Sequence, residues 1–117
     1  MGELKIKRIY EEPQKEDGIR ILVDRLWPRG VSKKEAELDF WLKDVAPDSD
    51  LRKWFNHEPE KFKEFSKLYT KELEAETDKL EEIKTMLKHK NVTLLYGAKD
   101  PEINHAVVLK KFIEKMK

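Results

Sequence analysis

The 117-residue chain contains no cysteine, only four glycines, and no apolar run approaching the roughly 18 residues of a membrane span. Without cysteine, disulfides, thiolate nucleophiles and cysteine-ligated zinc sites are excluded. The sequence also lacks a glycine-rich phosphate loop, a nucleophile elbow and a zincin motif. Its first five residues, MGELK, do not have the apolar core of a secretory signal. We therefore expect a cytoplasmic protein without a membrane partner.

Charge is abundant but evenly divided between the two signs. The chain has 25 basic and 24 acidic side chains, 42% of its residues, and a formal net charge of +1. Proteins that bind the phosphate backbone of nucleic acids, or membranes through polybasic segments, usually carry a clear basic excess. The balance therefore argues against a nucleic-acid partner. Hydrophobic residues, at 38%, suffice for one core, so we expect residues 1–117 to form a single domain.

Two apolar runs predict buried strands. Residues 19–24 begin with Ile-Arg-Ile-Leu-Val, and residues 92–96 read Val-Thr-Leu-Leu-Tyr. Both runs are apolar on both faces, which is typical of central strands in a parallel sheet. Residues 4–10 alternate loosely and predict a further strand. Residues 40–45 fit either a strand or a helix, and we favour a strand there.

Helices are predicted between and after these strands. Ser32 and Glu35 form a capping box, and Asp48 can cap a short helix. An apolar stripe over 59–88 predicts a helix that is split near 74–79. Asp100, followed by Pro and Glu, is a strong signal for the start of the last helix. Alternating strands and helices predict an α/β sandwich, with a mostly parallel sheet of about four strands covered by helices. The predicted core includes Leu22, Trp54, Phe65, Leu94, Leu95 and Ile113.

Polar side chains follow both apolar runs, at the carboxyl ends of the predicted strands. Ligands of open α/β sheets bind at this edge. If the two strands are neighbours, their polar residues should converge in one cleft. These residues are Asp24, Arg25 and Arg29 after the first run, and Lys99, Asp100, Asn104 and His105 after the second.

Asp24 and His105 are the candidates for acid–base catalysis in this cleft, because a carboxylate and an imidazole can exchange protons near neutral pH. Alternatively, Asp24 is a salt-bridged structural residue and His105 a hydrogen-bonded packing residue. For Asp100, helix capping is a sufficient explanation, and we favour it over a role in the site. Ligand spacing for a metal is absent, so no metal site is expected. The sequence specifies no cofactor.

Anion binding is the second chemistry that these residues indicate. The guanidinium groups of Arg25 and Arg29 suit phosphate or carboxylate recognition. Lys99 precedes a predicted helix start, where free N–H groups attract anions. Asn104 adjoins the same edge and is a further candidate ligand-binding residue. Surface ion pairing is the alternative for the arginines, because the chain is so highly charged.

Several segments resemble the YeaO-like proteins, a bacterial and archaeal family of unknown function of the DUF488 type. They are RILVDRLWPRG at 20–30, WLKDVAP at 41–47, LRKWF at 51–55, TLLY at 93–96, KD at 99–100 and NHA at 104–106. The resemblance spans nearly the whole chain and implies an α/β sandwich, but no agreed reaction. Longer, more distant relatives place Cys and Cys-His-Arg around the final strand-to-helix turn. Tyr96 and residues 104–106 stand there in this chain, so the thiol is absent.

Two functional hypotheses follow. The first is a small enzyme or ligand-binding protein, with a basic pocket for a phosphate- or nucleotide-like anion. The second is a non-catalytic regulatory or protein-interaction module that uses the exposed face of the split helix at 59–88. Adjacent carboxyl ends for strands 19–24 and 92–96 would favour the first hypothesis. The oligomeric state is not specified by the sequence.

Overall fold

The computed structural model of the chain describes residues 2–116, which contain one four-stranded sheet. All strand pairs are parallel, and the strand order is β1-β4-β2-β3. The strands are β1 (Leu4–Arg8), β2 (Ile19–Leu22), β3 (Phe40–Trp41) and β4 (Val92–Tyr96). The predicted α/β class and the mostly parallel sheet of about four strands are confirmed.

The central pair of the sheet is β4 and β2. Ile21 lies opposite Leu94, and Leu22 lies opposite Leu95. All five residues of β4 are buried, as the two-sided apolarity of its sequence predicts. The two carboxyl ends therefore reach the same edge of the sheet side by side. The prediction of neighbouring parallel strands at 19–24 and 92–96 is confirmed, although β2 itself ends at Leu22.

Within residues 2–116, five α-helices accompany the sheet, and three short 3-10 turns link its elements. The helices are α1 (Lys33–Ala36), α2 (Ser49–Phe55), α3 (Phe62–Glu74), α4 (Thr77–Leu87) and α5 (His105–Lys115). The 3-10 turns are Lys15–Asp17, Lys43–Val45 and Pro59–Lys61. The predicted capping box on α1, the Asp48 cap on α2 and the break between α3 and α4 are all present. No helix within residues 2–116 is both long and apolar enough to cross a membrane.

The two faces of the sheet are covered unequally. Ile21 and Leu94 belong to a large core that also contains apolar residues of α2, α3, α4 and α5. Leu22 and Leu95, which alternate with them along the strands, belong to a small cluster under α1 and its flanking loops. The face of the sheet that carries Ile21 and Leu94 therefore packs against most of the buried apolar side chains. The face that carries Leu22 and Leu95 is covered only by α1 and its flanking loops.

One expectation about a single residue is wrong, and the strand expected at 40–45 is present only in its first two residues. Trp54 is 42% exposed rather than buried. In the seven-residue helix α2, Leu51 and Phe55 share the inward face, and Trp54 packs instead beneath the Lys61 ammonium group, 5.1 Å from its ring centroid. The segment at 40–45 contains only a two-residue strand, and the 3-10 turn follows it.

The start of the last helix also differs from the prediction. Asp100 does not cap α5, because its carboxylate accepts the backbone N–H groups of Glu102 and Ile103 in a local turn, at 2.8 and 3.0 Å. The N-cap is Asn104, whose Oδ1 accepts the N–H of Val107 at 3.1 Å. Asx residues favour both turns and caps, so the pattern around Asp100 was locally ambiguous. The later start places Asn104 and His105 together at the amino end of α5.

Candidate functional site

A cavity of about 220 Å³ lies at the carboxyl edge of β2 and β4. Drug-sized ligands usually occupy 300–1,000 Å³, so this cavity suits a smaller molecule. Its apolar lining comes from Leu26, Ala46, Pro47, Phe55 and Phe65. Its polar lining includes Asp24, Arg25, Arg52, His57, Asn104 and His105. The cavity thus combines an apolar wall with several charged and hydrogen-bonding groups.

The Asp24 carboxylate connects the ends of the two central strands. Its Oδ2 accepts the backbone N–H of Gly97, just after β4, at 2.8 Å. A Cβ atom at position 97 would lie only 3.0 Å from this oxygen, so glycine makes room for the close approach. The other oxygen, Oδ1, is 3.0 Å from Nε2 of His105. Asp24 is therefore tied to the end of β4 through Oδ2 and lies against His105 through Oδ1.

The His105 imidazole is oriented by its surroundings. Its Nε2 lies 2.9 Å from the carbonyl oxygen of Val23, as well as 3.0 Å from Asp24 Oδ1. Both neighbours are acceptors, so Nε2 carries a proton. The ring also packs edge-on against Tyr69, at 6.1 Å between centroids. Burial, followed by the charges of Glu72 and Asp24, raises the pKa of Tyr69 well above its ordinary value.

The single Nε2–H of His105 points toward the Val23 carbonyl, and it leaves Asp24 Oδ1 without a hydrogen bond. That oxygen is buried and has no hydrogen-bond partner among the described residues. The 3.0 Å approach of Nε2 is thus a close electrostatic contact but not a directed hydrogen bond. Asp24 Oδ1 is therefore enclosed beside the His105 ring, with almost no surface of its own exposed.

Arg25 borders the cavity and anchors its apolar wall. Its Nε donates to the carbonyl of Pro47 at 3.1 Å, and its Nη2 donates to the carbonyl of Ala46 at 3.0 Å. Its charge also helps to lower the pKa values of Asp44 and Asp48, whose larger causes are hydrogen bonds from Lys79 and from the Leu51 backbone. The guanidinium group is therefore partly committed to structure.

Arg52 is a cavity residue that the sequence analysis did not select. It lies three residues before Phe55 in α2, so the two side chains share a helical face, and both line the cavity. Its Nε is buried and has no hydrogen-bond partner within residues 2–116. The sequence signal that could have identified Arg52 is its i, i+3 spacing from Phe55, within the segment 51–55 that resembles the YeaO-like proteins. An arginine in a helix of mixed charge otherwise resembles a surface residue.

Asn104 lines the cavity, but its amide is already engaged. The residue is 1% exposed, its Oδ1 caps α5, and its Nδ2 donates to the carbonyl of Asp100 at 2.8 Å. Its contribution is to fix the amino end of α5 beside the cavity. The free N–H groups and the dipole of that helix end add positive potential there.

The structure does not bring all of the predicted site residues into the cavity. Asp24, Arg25, Asn104 and His105 line it, whereas Arg29 and Lys99 are exposed and are not part of its lining. The Arg29 carbonyl accepts the hydroxyl of Tyr10 at 2.9 Å. Within residues 2–116, no group of three or more His, Asp or Glu side chains could hold a metal ion.

Comparison with known proteins places the chain in a family. A family model described as "Inactive DUF488-N3 subclade" matches residues 3–117. The chain belongs to this DUF488 family. Uncharacterized protein YeaO of Escherichia coli is 38% identical over 113 residues, which cover 97% of this chain and 98% of YeaO. An uncharacterized protein of Mycobacterium tuberculosis is 36% identical over 110 residues, covering 94% and 92% of the two chains. None of the solved structures compared with the chain matches it significantly.

The resemblance to YeaO-like proteins is thereby confirmed. At the positions where that resemblance placed cysteines in longer relatives, this DUF488 chain has groups that serve the fold. Tyr96 is 2% exposed, and burial is the main cause that raises its pKa. Residues 104–106 supply the cap of α5, the oriented imidazole and a buried alanine.

Proposed function

We propose that this DUF488 protein binds a small organic anion in the cavity at the ends of β2 and β4. The observation that carries the proposal is that two guanidinium-bearing residues, Arg25 and Arg52, line this cavity together with a single carboxylate-bearing residue, Asp24. A carboxylate or phosphate oxygen is the acceptor that a guanidinium group binds best. An anion would therefore find favourable partners in this cavity.

The charge of the cavity supports the same ligand class. Two guanidinium groups, Arg25 and Arg52, face one carboxylate, Asp24, and the amino end of α5 adds further positive potential. The two guanidinium groups and the one carboxylate leave an excess of one positive charge. A monoanion would neutralise this excess positive charge, so that the occupied cavity has no net charge.

The apolar wall indicates that the anion also has a hydrophobic part. Phe55 and Phe65 stack with ring centroids 4.2 Å apart, and both line the cavity. Leu26, which is 61% exposed, lines the same space and marks its open side. Inorganic ions would leave these apolar surfaces uncovered. A carboxylate or phosphate with a compact apolar body would use both walls.

Binding without turnover is the form of this function that we favour. The family description contains the word "inactive", and the chain has no cysteine. One nitrogen of His105 already faces two acceptors, and one oxygen of Asp24 already accepts the Gly97 N–H. The adjacency of the β2 and β4 carboxyl ends favours a ligand cavity over an interaction module built on residues 59–88.

The proposal can be tested by calorimetric titration of the wild type with isocaproate, a carboxylate with a compact branched body. We expect saturable binding with a dissociation constant of about 1 mM or tighter. Arg52→Gln removes one of the two guanidinium groups of the cavity lining and should weaken binding about tenfold or more. Arg29→Gln removes an equal charge outside the cavity, and should change binding by less than about twofold.

An absence of saturable binding to the folded wild type would contradict the proposal. Equal weakening by the two variants would also contradict it, because a diffuse charge effect would then explain the affinity. Far-ultraviolet circular dichroism and thermal unfolding of each variant establish that the fold is retained.

A further inference from the structure

His57 lines the cavity from a short segment with unusual backbone geometry. It is the second residue after α2, and it is exposed. Asn56 and His57 have φ angles of 46° and 57°, so two consecutive non-glycine residues adopt the left-handed conformation. Asparagine can end a helix in this conformation, but a second such residue in succession is unusual. The chain therefore bears a conformational cost at the residue that carries an imidazole at the edge of the cavity.

The two imidazoles of the cavity lining differ in how firmly the fold holds them. His105 has its Nε2 only 2.9 Å from the Val23 carbonyl, and its side chain is 15% exposed. No side-chain hydrogen bond or salt bridge within residues 2–116 holds the His57 ring, which lies at a tilt of 48° to Phe55, with 6.2 Å between centroids. His57 can therefore gain or lose a proton without breaking an internal polar contact.

A proton on His57 acts on the same space as the other charged groups of the cavity. The nearest carboxylate in the chain, that of Glu58, lies 3.1 Å from the ammonium group of Lys61 and is paired with it. A ligand in a cavity of about 220 Å³ lies closer to the lining side chains than the Debye length of about 8 Å. The other titratable and charged groups that line this space are Asp24 and Arg25 after β2, Arg52 in α2 and His105 in α5.

Resting on the proposed function, we infer that His57 is a third cationic binding residue of this cavity, and that pH sets its charge. The protonated ring attracts the anion and the neutral ring does not, so affinity rises as the pH falls through the range in which imidazoles titrate. By linkage, a bound anion favours the protonated ring to the same extent. The cavity thus holds its anion more tightly in mild acid and releases it as the pH rises.

Calorimetric titration of wild type with isocaproate at two pH values tests this inference. At about pH 6 and about pH 8 the carboxylate of isocaproate is ionised, whereas an ordinary imidazole changes its charge between them. We expect binding about fourfold tighter at the lower pH, the effect of one added charge that is partly screened by solvent. Titrations in two buffers of different ionisation enthalpy should also show that a fraction of a proton is taken up on binding near neutral pH.

His57→Asn is the matching variant, because asparagine tolerates the left-handed conformation and carries no charge. It should lose both the tighter binding at the lower pH and the proton uptake. His89→Asn removes an exposed imidazole that is not part of the cavity lining, and it should keep both. In wild type, the imidazole proton resonances identify which ring takes up the proton, so the test does not depend on the folding of a variant.

The outcomes separate this inference from the proposal beneath it. If isocaproate binds wild type equally at both pH values and without proton uptake, the role of His57 is refuted and anion binding stands. Full pH dependence in His57→Asn, or proton uptake by the His105 ring instead, would also overturn the inference. If isocaproate binds folded wild type at neither pH, both the inference and the proposed function fail.

Discussion

Replacing Leu94 by alanine should destabilise the protein more than replacing Leu95, although the two are neighbours in β4 and both are fully buried. Each substitution removes three carbon atoms from the interior. At about 0.8 kcal/mol for each buried methylene, the transfer free energy lost is about 2.4 kcal/mol at either position. Any difference between them must come from the cavity that remains.

The two faces of the sheet determine how well that cavity can close. Leu94 faces the large core, where four helices pack around it and resist rearrangement. Leu95 faces the small cluster, whose cover is the four-residue helix α1 and nearby loop side chains such as Trp27 and Trp41. We expect a loss of about 4–5 kcal/mol for Leu94→Ala and of about 2–3 kcal/mol for Leu95→Ala.

Urea unfolding followed by tryptophan fluorescence and circular dichroism measures both values. The slope of the unfolding free energy with urea should stay the same, so that the midpoint shift reports stability alone. A larger loss at Leu95 than at Leu94 would refute the argument from the unequal covers. A loss below about 1 kcal/mol at Leu95 would show that β4 does not lie at the centre of the sheet.

Two further predictions concern caps and charges. Asn104→Ala should reduce the unfolding free energy by about 0.5–2 kcal/mol in the same assay, and by more than Asp100→Ala, because Asn104 is the residue that caps α5; a larger loss for Asp100→Ala would contradict this assignment. Burial alone would raise the pKa of Asp17, but hydrogen bonds from the Gln14 backbone, Lys7 and Arg20 together lower it by more than burial raises it. The pKa of Asp17 is therefore below its ordinary value. Its contribution to stability is therefore present above its unfolded pKa, and is lost as the pH falls through the depressed folded value. Asp17→Asn should cost about 3–5 kcal/mol at pH 7, because it leaves the buried Arg20 charge unpaired, and the cost should shrink at acidic pH; a cost that is independent of pH would contradict the assignment.

The central strands could be predicted from sequence because the apolar run that identifies each strand lies within the strand itself. Residues 92–96 are apolar on both faces, and only a strand between two others buries both. The convergence of Asp24 and His105 followed from this, since parallel neighbours deliver their carboxyl ends to one edge. Strand order and the positions of the arginines depend on turns and helix rotation, which the local pattern does not determine.

The residues that were misplaced show where local signals compete. Asp100 and Asn104 are both suited to cap a helix, and the choice between them depended on a tight turn that uses the Asp100 carboxylate. Tryptophan is a residue type that is common in cores, but in this short helix Phe55 faces inward and Trp54 is exposed. Arg52 resembles a surface charge in sequence, and only its rotation toward Phe55 places it at the cavity.

Anion binding beside Arg52 can be measured most directly by nuclear magnetic resonance, with isotope-labelled wild type titrated with isocaproate. We expect saturable shifts of the Arg52 Nε–H resonance and of the Gly97 and His105 backbone amides, which border the cavity. In Arg52→Gln the amide shifts should appear only at about tenfold higher concentration. Shifts confined to exposed residues such as Arg29 and Lys99, with the Arg52 resonance unchanged, would contradict the account.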